Sequence, residues 1–125
     1  MPSSGASVRT IPGKGRGVVA ERAIAAGEII DRAFTIELNP ADCEAIARSV
    51  LDHYYFAHPE SQDMGLLVLG LASLANHADD PNTGVDWHQA PGIGWVGNLV
   101  ALKPIAAGEE ITRRYTCAPW FEIAA

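Results

Sequence analysis

The chain has 125 residues and a net charge of −6, with 48% hydrophobic and 19% charged residues, which is enough for one domain with its own core and excludes a disordered chain. Fifteen carboxylates against nine Lys and Arg argue against a broad phosphate-binding face, so no direct contact with nucleic acid is expected. The longest apolar run, Met64 to Ala75, is shorter than the roughly 20 residues a helix needs to cross a bilayer, and Met1 to Thr10 lacks an apolar signal core, so no membrane association and a cytoplasmic location are expected.

Pro2 to Gly5 reads as a frayed start. Ile11-Pro12-Gly13-Lys14-Gly15-Arg16-Gly17 follows, a loop whose backbone can approach a ligand closely or can simply turn a hairpin. It lacks the spacing and the Ser/Thr of a phosphate-binding loop. Val18 to Ala20 is a short strand, Ala25 to Glu28 a turn, and Ile29-Ile30 a second strand. Ala23-Ile24-Ala25-Ala26-Gly27-Glu28-Ile29-Ile30 returns as Pro104-Ile105-Ala106-Ala107-Gly108-Glu109-Glu110-Ile111, which predicts two similar β-corners near the two ends of the chain.

Asn39 can cap a helix and Pro40 suits its first position. Cys43, Ile46, Ala47, Val50, Leu51 and Tyr54 keep helical spacing, which predicts a helix ending between His53 and Phe56. Leu66 to Ala75 is apolar on all sides and should be buried; periodicity does not decide between helix and strand. The polar cluster Asn76-His77-Ala78-Asp79-Asp80-Pro81-Asn82 follows directly and is well placed to line a site. Trp87, Trp95-Val96 and Leu99 to Leu102 supply further strands, and the tail carries Tyr115, Trp120 and Phe121. The whole reads as mostly β with one or two short helices.

Charge and cysteines add two points. Residues 37–90 hold nine carboxylates and one cation, Arg48, so this segment carries −8 and the remainder +2. A solvated acidic face accounts for this, and so does a surface that steers a basic partner. Cys43 and Cys117 define neither a disulfide framework nor a zinc spacing, and His77, Asp79, Asp80 and His88 fit no tight ligand template, so no metal is expected.

Three motifs in order carry a resemblance. They are Lys14-Gly15-Arg16-Gly17, Asn76-His77 ahead of Pro81-Asn82, and Gly108-Glu109-Glu110-Ile111-Thr112 leading to Tyr115. Together they resemble the SET-domain family of S-adenosylmethionine-dependent protein lysine methyltransferases, from about Val8 to Tyr115. The resemblance implies one SET domain over residues 1–125, with a core at 8–116 and 117–125 as tail or lid. The fold it implies is a β-clip of small sheets with a knot-like threading of the C-terminus. A minimal stand-alone member of bacterial or viral type fits the missing flanks, and such members can form homodimers.

The same resemblance implies roles. Lys14, Gly15, Arg16, Asn76, His77, Tyr115 and Trp120 would bind S-adenosylmethionine, and Tyr115 would be catalytic. Tyr54, Tyr55 and Trp87 would wall a substrate channel, although packing at a helix end explains the two tyrosines as well. The partner implied is a basic, lysine-containing protein segment, histone-like or ribosomal. Taken singly, Asn76-His77 is a turn residue beside a hydrogen-bonded histidine, and Tyr115 a core tyrosine. The chain departs from the family at Ala78-Asp79, where Ser-Cys is usual, and at Arg113, where an aromatic usually borders the lysine pocket. These departures leave a catalytically inactive, protein-binding module as an alternative. Leu102 to Thr112 also resembles the SAF-type β-clip of carbohydrate enzymes, which accounts for neither Asn76-His77 nor Tyr115.

Overall fold

The two repeated corners meet each other. In the computed structural model, which describes residues 5–114, Ile24 and Ile105 form an antiparallel bridge, each N–H donating to the other's carbonyl at 2.8 and 2.9 Å. Both isoleucines are buried. Each corner is closed in the same way. Glu28 Oε1 accepts from the Ala25 N–H at 3.1 Å, and Glu109 Oε1 from the Ala106 N–H at 3.0 Å. Gly27 and Gly108 take φ of 85° and 87°, a left-handed turn that side chains resist. The attachments are exchanged. The first corner bonds Ala101, through Gly27 N–H and Glu28 carbonyl, and the second bonds Ala20, through Gly108 N–H and Glu109 carbonyl. The ends of the chain are thereby clipped together.

The elements in chain order are β1 (Ala6–Ile11), β2 (Gly15–Ala20), β3 (Ile29–Leu38), α1 (Pro40–Ile46), a 3₁₀ turn (Val50–His53), β4 (Tyr55–Ala57), β5 (Gly65–Val68), a second 3₁₀ turn (Leu71–Ser73), β6 (Asn76–His77), β7 (Thr83–Ala90), β8 (Gly94–Ala101) and β9 (Glu110–Arg113). They form two sheets, ordered β1-β2-β9-β6 and β4-β5-β3-β8-β7. β6 and β9 run parallel, Asn76 opposite Thr112 and His77 opposite Arg113, and every other strand pair is antiparallel. Val18, Ile24, Ile30, Phe56, Leu99, Ile105 and Ile111 fill one core that both sheets share. The chain is mostly β, as its sequence indicates, and no helix among the described residues is long and apolar enough to cross a membrane.

Four expectations need correction. The helix stops at Ile46 rather than near His53 to Phe56, and none of its residues is buried. Asn39 caps it as expected, in a reciprocal box with Asp42. Ser49 then ends the run: its hydroxyl donates to the Ile46 carbonyl at 2.9 Å and accepts from the Leu51 N–H, offering the backbone another partner and capping the following 3₁₀ turn. The apolar run Leu66 to Ala75 divides into a strand and a 3₁₀ turn, and Leu69 is 58% exposed. At the division, Asp31 Oδ2 accepts from the Leu71 N–H at 2.9 Å, and a Cβ on Gly70 would come within 2.5 Å of that oxygen. The strand begun by Ile29-Ile30 runs on to Leu38, and the first strand, Ala6–Ile11, has no counterpart in the sequence reading.

The first corner carries a pH dependence. Glu28 titrates below its ordinary value of 4.5, held there mainly by its hydrogen bond from Arg22 and then by the Ala25 N–H. A depressed carboxylate stabilises the fold above its unfolded pKa and loses that contribution as pH falls through the folded value. Arg22→Gln is therefore expected to make the loss of melting temperature below about pH 4.5 shallower than in the wild type. Parallel acid limbs in thermal melts would contradict this.

Candidate active site

The glycine loop turns the β1–β2 hairpin, with Ile11 paired to Gly15 and Gly15 at φ 82°. That turn also walls a cavity. Lys14, Arg16, Tyr54 and the run Ser73 to Asn76 line a small cleft of ≈ 110 Å³, below the roughly 300–1,000 Å³ of drug-sized pockets. Arg16 on β2 and Asn76 on β6, distant in sequence, thus share one wall, because β9 lies between the two strands in one sheet.

Asn76 is fixed by two acceptors. Its Nδ2 donates to the Arg16 carbonyl at 3.0 Å and to Glu110 Oε2 at 2.8 Å. Glu110 Oε1 takes the Lys14 ammonium at 3.1 Å. Arg16 Nη2 lies 3.3 Å from the Tyr54 hydroxyl, and its guanidinium stands 5.8 Å from that ring's centre. Gly17 permits the arrangement, since a Cβ there would sit 2.7 Å from Asn76 Nδ2 and 2.9 Å from Glu110 Oε2.

Asn82 holds β9 in place. Its Oδ1 accepts from the Thr112 N–H and its Nδ2 donates to the Glu110 carbonyl, both at 2.8 Å, while the Thr83 hydroxyl donates to the Thr112 carbonyl at 2.6 Å. His77 turns elsewhere, with Nε2 3.1 Å from Asp79 Oδ1, and does not line the cleft. Asp80 pairs with Lys103, and no group of three His, Cys, Asp or Glu side chains able to hold a metal occurs among the described residues.

The expected channel residues are not gathered in one place. Tyr54 belongs to the first cleft, and Tyr55 packs on Gly65 across the β4–β5 pair. Trp87 lies in a second cleft of ≈ 300 Å³ with Phe56, Val85, Leu102, Arg113 and Arg114. The two clefts share a partition. Arg113, 3% exposed, donates from Nε to the Ala72 carbonyl at 2.7 Å, directly before the Ser73 to Asn76 wall of the first. Its guanidinium lies 4.1 Å over the Phe56 ring. Tyr115 and Trp120 lie outside the described residues. Sequence reasoning misses Glu110, which stands within the Gly108 to Thr112 motif and shows no local sign of a role.

The sequence pattern of the SET domain matches residues 15–116. The chain belongs to the SET-domain family. No curated protein matches the sequence. Among solved structures, a candidate histone methyltransferase of Plasmodium falciparum is similar over 97% of this chain and 100% of its own, with a TM-score of 0.74 and 25% identity. The Neurospora SET-domain protein DIM-5, a histone lysine methyltransferase, is similar over 96% of this chain and 55% of its own, at a TM-score of 0.71 and 21% identity. A Chaetomium thermophilum Polycomb Repressive Complex 2 chain, in an autoinhibited conformation bound to S-adenosylmethionine, is similar over 90% of this chain, with a TM-score of 0.72 and 19% identity. This SET domain spans 15% of that chain. The family and these neighbours support protein-lysine methyltransferase chemistry at the family level.

Proposed function

We propose that this SET-domain protein is an S-adenosylmethionine-dependent protein-lysine N-methyltransferase acting on a basic, lysine-containing segment. The observation that carries the reading is the cleft in which the loop residues Lys14 and Arg16 meet Asn76. Its donor set fits the cofactor. Asn76 spends both N–H bonds on protein acceptors and keeps Oδ1 as an acceptor, next to two cations. An acceptor beside cations complements a zwitterionic amino-acid group, which S-adenosylmethionine carries. When bound, the cofactor supplies an electrophilic methyl group on a sulfonium.

The protein's own part is to bind, align and keep water out. Lys14, Arg16 and Asn76 would hold the cofactor. The second cleft, with Phe56, Val85, Trp87 and Leu102, offers an apolar approach for a lysine side chain. Desolvation there favours the neutral amine, the only form with a free electron pair. Tyr115, by its match to the family's tyrosine, would orient the acceptor with its hydroxyl. The −8 segment at residues 37–90 would draw a basic partner. Calorimetry with S-adenosylhomocysteine and transfer of labelled methyl to basic protein mixtures test the reading. Binding and lysine labelling are expected; a folded protein that binds no S-adenosylhomocysteine would remove it. Arg113, a buried guanidinium in the wall of the second cleft, favours a second reading, a cofactor-binding module without transfer. Binding with no labelled lysine would select that one.

A further inference from the structure

We infer that Glu110 is a positioning residue that sets which atoms Asn76 and Lys14 present to the amino-acid end of the cofactor; this deepens the reading above and rests on it. An ionised carboxylate accepts hydrogen bonds and donates none. With Glu110 Oε2 on one side and the Arg16 carbonyl on the other, the Asn76 amide has one orientation that satisfies both, with its NH₂ toward them. Oδ1 is thereby committed as an acceptor in the cleft. The other Glu110 oxygen tethers the Lys14 ammonium to the same point, so one carboxylate fixes an acceptor and a cation together. Gly17 keeps the place open, since a Cβ there would occupy the space where the Asn76 and Glu110 side chains meet. Without Glu110 only the Arg16 carbonyl is left to orient the amide, and the Lys14 ammonium loses its tether beside it.

The consequence is selective. Loss of Glu110 should harm ligands that carry the amino-acid group and spare those that carry the nucleoside alone. Calorimetry would compare S-adenosylhomocysteine with 5′-methylthioadenosine, which keeps the nucleoside and lacks the amino acid. Glu110→Ala is expected to weaken the first about tenfold and the second less than about twofold, the scale of one charge-assisted hydrogen bond. Glu110→Gln, whose amide oxygen still accepts from Asn76, should keep S-adenosylhomocysteine within about threefold. Equal weakening of both ligands in Glu110→Ala, or none, overturns the inference and leaves the methyltransferase reading standing. A wild type that binds neither ligand overturns both. A second pair covers the case in which Glu110→Ala does not fold. Asn76→Asp alone sets two carboxylates side by side and should lose S-adenosylhomocysteine affinity. Adding Glu110→Gln, whose amide can donate to the new carboxylate, should restore about tenfold of it. Absence of that restoration overturns the inference.

Discussion

Gly17→Ala is expected to weaken S-adenosylhomocysteine binding by about tenfold while the domain stays folded. Gly17 has an ordinary backbone conformation, not one reserved for glycine, so alanine meets no backbone strain. The added carbon instead meets three side-chain atoms: Asn76 Nδ2 at 2.7 Å, Ile11 Cγ1 at 2.8 Å and Glu110 Oε2 at 2.9 Å. The two polar ends can move aside, and Ile11 is only partly buried and has room to shift, which spares the fold. Moving aside breaks the Asn76–Glu110 contact, and with it the orientation of the amide and the tether on Lys14. The Asn76–Glu110 hydrogen bond is worth about 1.5 kcal/mol and the solvent-exposed Lys14 pair adds little, hence a fold-change like that of Glu110→Ala. Calorimetry reads the affinity, and a thermal melt within a few degrees of wild type separates the effect from unfolding. Full retention of affinity would mean that the glycine-loop wall of the cleft is a hairpin turn and nothing more.

What the sequence makes legible is what its local chemistry decides. The repeated corner is readable because a glycine followed by glutamate closes its own turn, the carboxylate reaching back to the N–H three residues earlier. That the two corners would clip onto each other's strands is a long-range fact without a local sign. The helix start at Asn39-Pro40 is local and readable, while its end depends on a Ser49 hydroxyl competing for the Ile46 carbonyl, which apolar spacing does not register. β1 escapes notice because Ser7, Arg9 and Thr10 give it the look of a polar terminus, and only pairing along β2 makes it a strand. At the site, motif order brings Lys14, Arg16 and Asn76 into view together. Glu110 stays hidden because its partners lie 34 and 96 residues away, and a glutamate within a turn motif looks like a surface charge. Aromatic character suits both Tyr54 and Trp87 to a channel wall, but it does not say which cleft each lines, and the two line different ones.

Phe56→Ala is expected to lower unfolding stability by about 3–5 kcal/mol, the usual consequence of emptying a buried aromatic site. For a domain with a total stability of roughly 5–15 kcal/mol, that is a large fraction. The ring is 1% exposed and is gripped on two sides. Trp87 meets it edge-on, with ring centres 5.5 Å apart and planes at 75°, and the Arg113 guanidinium stands 4.1 Å over its face. The contact therefore combines a volume and a charge. Phe56→Leu tells them apart: leucine fills much of the space but offers the guanidinium no π face. If packing alone mattered, leucine would cost under about 1.5 kcal/mol, whereas a desolvated cation–π contact adds about 2 kcal/mol. Denaturant midpoints for the two variants are expected to fall in the order wild type, leucine, alanine, with leucine near the middle. A leucine variant as stable as wild type would show that Arg113 draws nothing from the ring. The same contact bears on function, since Phe56 and Arg113 both line the second cleft and Arg113 braces Ala72, immediately before the wall of the first. Loosening the ring should therefore weaken S-adenosylhomocysteine binding as well, at a site Phe56 does not touch, and the leucine variant should lose less of it than the alanine.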